Sequence, residues 1–73
     1  MNTNPRRYEV GVKIASTTIL VSTHRKRAVA EKKACRMTAK KAYPNGNALP
    51  KDGIVVVDEL EGKKLVHRDE IDL

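Results

Sequence analysis

Cys35, His24 and His67 are the residues of this chain best suited to nucleophilic or metal chemistry, and their spacing supports neither. A cysteine nucleophile needs an imidazole held beside it. Cys35 falls on the alanine side of a predicted helix, where it reads as a small buried side chain. Positions 24, 35 and 67 lack the close paired spacing of metal ligands. Asp58, Glu59 and Glu61 are the candidates for a carboxylate pair, but they run up to Gly62 and read as a solvated turn. Ser16 and Thr17 have no triad partners, and Asn45-Gly46-Asn47 is a turn and not a phosphate loop. The expectation is a non-enzyme with no cofactor and no metal.

The chemistry that remains is charge. Residues 23–43 carry Arg25, Lys26, Arg27, Lys32, Lys33, Arg36, Lys40 and Lys41 against Glu31 alone, a sum of +7 in a chain whose total is +6. Placed at about 100° per residue, most of these cations share one arc of a helix. Ala28, Ala30, Ala34, Cys35, Met37, Thr38, Ala39 and Ala42 fill the other, with Val29 stranded among the charges. Ser22 or Thr23 serves as N-cap, and Pro44 stops the helix. Arg25, Lys26 and Arg27 then sit in the first turn, where positive charge opposes the helix dipole at about 0.3–1 kcal/mol each. Most charge runs are simply solvated faces. Cations at the end of a helix where they cost stability, beside unsatisfied N–H groups, favour an anion-binding surface instead. Arg6, Arg7, Lys13, Arg25, Lys26, Arg27, Lys32, Lys33 and Arg36 are therefore the expected partner-binding residues.

The rest of the chain must position that helix. Residues 8–14 alternate, with Tyr8, Val10, Val12 and Ile14 against Glu9, Gly11 and Lys13, the period of a half-buried strand. Residues 15–17 form a hairpin turn without glycine, and the β-branched run at 18–22 is a second strand. Residues 44–53 contain two prolines and two glycines and read as a long, mobile loop. Residues 54–57 are a continuous apolar run, a third strand, and residues 64–67 could pair back across Gly62. The predicted class is α+β, in the order ββαβ or ββαββ, with one basic amphipathic helix packed on one face of a small antiparallel sheet. Residues 1–5 are expected to be a flexible arm, residues 6–67 the single domain, and residues 68–73 a disordered acidic tail.

Composition narrows the partner. The chain has 73 residues, two tyrosines, no Phe and no Trp, so its core is small and aliphatic. One cysteine excludes an internal disulfide and suits a reducing compartment. No signal-like apolar segment follows Met1, and the chain reads as a complete cytoplasmic product; no membrane role is expected, because the helix lacks large apolar anchors. A net charge of +6 calls for an acidic partner. Nucleic acid would gain many phosphate contacts, but bases would find no stacking platform and no reading residues on the helix. Protein fits as well: arginine-rich surfaces dock acidic segments, and sheet edges accept added strands.

In size, charge, order of elements and the look of RRYEVGVKI and THRKRAVAEKK, the chain resembles the very small early regulators that bacteriophages use against host transcription, among them the anti-terminators of Xanthomonas-infecting phages. The resemblance spans the full length and carries no diagnostic motif. It implies a monomer in the host cytoplasm that binds the large subunit of bacterial RNA polymerase, inhibits promoter initiation and suppresses termination, with nucleic acid of the transcription complex nearby. The alternative is a non-specific DNA- or RNA-binding protein using the basic helix.

Overall fold

The computed structural model describes residues 6–71. Its elements run β1 (Arg6–Ile14), β2 (Thr17–His24), α1 (Arg27–Lys40), β3 (Ile54–Glu61) and β4 (Lys64–Ile71). The strands form one antiparallel sheet in the order β2-β1-β3-β4, so the chain is a ββαββ domain of the α+β class. The alternation in β1 sets the core: Val10 and Val12 face the helix together with Val55 and Val57 of β3, and all four are buried. Each such valine contributes about 1.5–3 kcal/mol on burial.

The helix meets this valine layer along a narrow stripe of Ala30, Ala34 and Met37, spaced as one helical face requires. Two alanines let the backbone lie close to the sheet. They also keep the contact narrow, so Ala28, Cys35 and Ala39 remain exposed. Cys35 is thus a surface thiol, against the expectation of a buried one, because it lies a further 100° round from Ala34.

Both hairpins turn on two residues. Ile14 pairs with Thr17 across Ala15-Ser16, and Ala15 takes a φ of 54°, a conformation that L residues adopt at a cost. Glu61 pairs with Lys64 across Gly62-Lys63, where Gly62 takes its φ of 64° freely. A bulge follows each hairpin: Val10 and Gly11 oppose Ser22 and Leu20, and Glu59 and Leu60 oppose His67 and Leu65.

Element boundaries differ from the sequence expectation at several places, and the main differences have physical reasons. The helix begins at Arg27, not in the 23–26 region, because Thr23 and His24 are held in the β-ladder opposite Glu9 and Tyr8. Its N-cap is Lys26, in extended conformation and with no side-chain cap, in place of Ser22 or Thr23. It ends at Lys40, with Lys41 left-handed at φ 52°, before Pro44 forces the residue ahead of it out of the helix. β3 runs on through Asp58, Glu59 and Leu60, all buried, so these acids belong to the sheet and not to a solvated turn. Residues 68–71, expected in a disordered tail, are the second half of β4: Arg68 bonds Asp58, and Ile71 packs against the core. The expected arm at residues 1–5 and the last two residues lie outside the described region.

The loop between α1 and β3 is held by its own backbone. Tyr43 N–H donates to Asn47 (2.7 Å), Gly46 N–H to Tyr43 (2.9 Å) and Leu49 N–H to Lys41 (3.0 Å). Asn45 Oδ1 accepts from the Asn47 N–H at 3.0 Å, and Ala42 and Ala48 form an isolated bridge. These bonds tie the loop to itself and, through Leu49, to Lys41 at the helix end.

Candidate functional site

The nine nominated cations divide into two groups of different use. Arg6 and Arg27 both donate to the carboxylate of Glu59, which is buried on β3. Arg27 also lies over the Tyr8 ring, 5.6 Å from its centroid, and 4.0 Å from Glu31 one turn on. The Glu59 charge, foremost, raises the Arg27 guanidinium above its ordinary pKa. Arg7 pairs with Glu9 at 3.6 Å, and Lys13 with Glu70 at 3.8 Å across the intervening β3. These four cations are paired with acids of the same chain, Arg6 and Arg27 at one buried carboxylate, Arg7 and Lys13 at more exposed ones. Arg68 belongs with them: it clamps Asp58 through two hydrogen bonds of 2.6 and 2.8 Å, and these bonds above all raise its pKa.

Arg25, Lys26, Lys32, Lys33 and Arg36 form no ion pair among the described residues. Arg25 and Lys26 lie in the short link between β2 and α1. The other three are on the helix, and Lys40 continues their row. Lys32, Arg36 and Lys40 recur every four residues, about 6 Å apart along the axis. Such close like charges repel one another, so nothing in the fold itself rewards the row.

The row forms one wall of a groove of about 600 Å³. Val29, Lys32, Lys33, Arg36 and Lys40 come from the helix, Met37 lies toward the core, and Ala42, Tyr43, Pro44 and Gly46 of the loop complete the lining. Lys40 and Tyr43 were absent from the nominated set. The four-residue recurrence of Lys32, Arg36 and Lys40 was a signal for the first. The second needed the fold, because only the backbone bonds of residues 42–49 bring Tyr43 against the helix.

The residues considered for catalysis are separated by the same fold. Cys35 is on the exposed helix surface, His24 bonds Ser22 at 2.8 Å, and His67 bonds Asp69 at 2.7 Å. Among the described residues, no group of three His, Cys, Asp or Glu side chains is arranged to hold a metal ion, and no helix is long and apolar enough to cross a membrane.

What the fold and this surface define is a small α+β domain in which Arg6, Arg7, Lys13, Arg27 and Arg68 are paired with acids of the same chain, while Lys32, Lys33, Arg36 and Lys40 of the helix form no ion pair among the described residues. Comparison with protein families, with curated proteins and with solved structures finds no match.

Proposed function

We propose that the chain is a bacteriophage-encoded transcription regulator that acts in the host cytoplasm. It binds the large subunit of bacterial RNA polymerase through its basic surface, inhibiting promoter initiation and acting as an anti-terminator. The observation that supports a binding role is the division of charge. Arg6, Arg7, Lys13 and Arg27 are neutralised by acids of the same chain, while Arg25, Lys26, Lys32, Lys33 and Arg36 are left for another molecule. The polymerase as that molecule rests on the resemblance in size, charge and element order described above. Non-specific nucleic-acid binding is the second reading, favoured by Tyr43 beside the cations of the groove.

Salt separates the two. Binding to duplex DNA through Z cations falls with a log–log slope near −0.9Z, so five to seven free cations give a slope of about −5 to −6. A docked protein interface keeps an apolar part that salt does not screen. The tagged protein is expected to capture RNA polymerase from a nuclease-treated bacterial lysate at about 0.3 M salt, where binding to random DNA and RNA is negligible. Lys33→Glu with Arg36→Glu abolishes capture, and Arg7→Glu weakens it far less. Equal salt slopes for polymerase and free nucleic acid overturn the proposal in favour of the second reading.

A further inference from the structure

Val29 has no role in the fold. It is 48% exposed, it stands in the middle of the cationic face, and it lies outside the buried stripe of Ala30, Ala34 and Met37. A β-branched side chain also lowers helix propensity, so neither packing nor local preference accounts for it. Its position is accounted for by the groove. Val29, Tyr43 and Pro44 line that groove together with Lys32, Lys33, Arg36 and Lys40, and the nearly buried Met37 lies at it too.

The geometry points to a docking site for an acidic peptide segment that carries one large apolar anchor side chain. The inference rests on reading the basic surface as a protein-binding one, and it names where on that surface the partner seats and what it must carry. Three features select this occupant. The rim is uniformly cationic and unpaired among the described residues, so it complements Asp and Glu and repels a basic segment. Successive cations Lys32, Arg36 and Lys40 stand about 6 Å apart. That matches alternate residues of an extended chain, about 6.6–6.8 Å apart, so Asp or Glu at every second position reaches the row. Beside these cations the groove presents the half-exposed Val29 together with Tyr43 and Pro44, over a nearly buried Met37, apolar surface that a Leu, Met or Phe side chain would cover.

A nucleic acid uses these features less well. Its phosphates suit the rim, but successive bases need successive aromatic faces, and the groove offers Tyr43 alone. The loop wall is set before binding by the bonds from Tyr43 to Asn47 and from Gly46 to Tyr43, so little ordering is required when the peptide arrives.

The test uses the full chain and a series of fluorescein-labelled synthetic peptides, twelve residues long, with Glu at alternate positions and Phe, Leu, Met, Ala or Ser at the centre. Fluorescence anisotropy is expected to rank Phe, Leu and Met at least tenfold tighter than Ala or Ser. Val29→Gln, an exposed substitution to a good helix former, weakens the Phe peptide at least fivefold and leaves the Ser peptide unchanged. Arg36→Glu weakens both at least tenfold. Circular dichroism checks that each variant stays folded, and amide chemical-shift changes on adding the Phe peptide fall at residues 29–46. The inference is overturned if no peptide of the series binds, if Val29→Gln has no effect on the Phe peptide, or if single-stranded oligouridine binds more tightly and displaces the peptide. Its failure is distinct from failure of the polymerase proposal. Polymerase captured equally by wild type and Val29→Gln sinks the groove alone. Anchored peptides bound as described, with no polymerase captured, sinks the polymerase reading alone.

Discussion

Replacing Asp58 by Asn removes one negative charge from the centre of the sheet and changes almost no volume. Asp58 is 7% exposed and stands opposite Arg68 in the β3–β4 register, where its two oxygens accept from Nε and Nη2. In the Asn variant, one acceptor becomes an NH₂ donor aimed at a guanidinium donor. Breaking a fully buried pair costs about 3–5 kcal/mol, and an exposed pair is worth about 0–1 kcal/mol. The Arg68 side chain is 30% exposed and can turn its charge toward water, which places the cost between those limits, at about 2 kcal/mol. A chain of 73 residues has a total stability of about 4–11 kcal/mol, so the loss is a large share of it. It corresponds to a fall in Tm of about 8–16 °C. Urea unfolding followed by circular dichroism gives the number directly. A cycle of Asp58→Ala, Arg68→Ala and the double variant isolates the pair, with an expected coupling of about 1–3 kcal/mol. Exchange of both residues for apolar ones of similar size, Asp58→Leu with Arg68→Met, recovers most of the loss, since neither charge is then left buried without its partner. A cost below about 0.5 kcal/mol for Asp58→Asn, with no coupling in the cycle, would refute the view that this pair is held away from water.

Two further outcomes follow from the backbone and the end of the sheet. Ala15→Gly relieves the positive φ in the first hairpin, worth about 1–2 kcal/mol, against an entropic loss of about 0.5–1 kcal/mol, so the urea midpoint rises modestly; a fall would show that the turn is not strained. Ending the chain after His67 strips Arg68 from Asp58 and Ile71 from the core, and the amide NMR spectrum is expected to lose its dispersion; a well-dispersed spectrum from the shortened chain would mean that the second half of β4 is dispensable.

The elements that declare themselves in the sequence are those whose order is local. β1 is legible because its alternation faces one side to the helix and the other away from it. The helix is legible because Ala, Lys, Arg and Met favour it over many residues and Pro44 ends it. In the second half of the sheet the strands at 54–57 and 64–67 are legible, but their continuations through residues 58–61 and 68–71 are not, because the stability of those parts comes from partners distant in sequence. Asp58 and Glu59 read as turn residues until Arg68, ten positions later, and Arg6 and Arg27, 53 and 32 positions earlier, are placed beside them. The same pairs explain why the cations could not be sorted from sequence. Arg27 and Arg36 are alike in side chain and in exposure, yet one is bound to a buried carboxylate and the other lines an open groove.

That sorting gives the helix its meaning. The sheet pairs several of its acids and bases, across strands at Glu59, Asp58 and Lys13 and within β1 at Glu9, so electrostatic self-neutralisation is available to this fold. Along the helix beyond Arg27 and Glu31 it is withheld among the described residues. Glu31 is the one acid there, the first turn has none, and the N-cap residue is a lysine that offers no capping oxygen. Each choice costs stability through the dipole, the missing cap or the repulsion of neighbouring charges. A chain of this size has little stability to give up. Local rules broken together along one surface, while they are obeyed across the sheet, point to the surface that contacts a partner. In this chain they are broken along the wall that Lys32, Arg36 and Lys40 present to the groove, with Val29 among them.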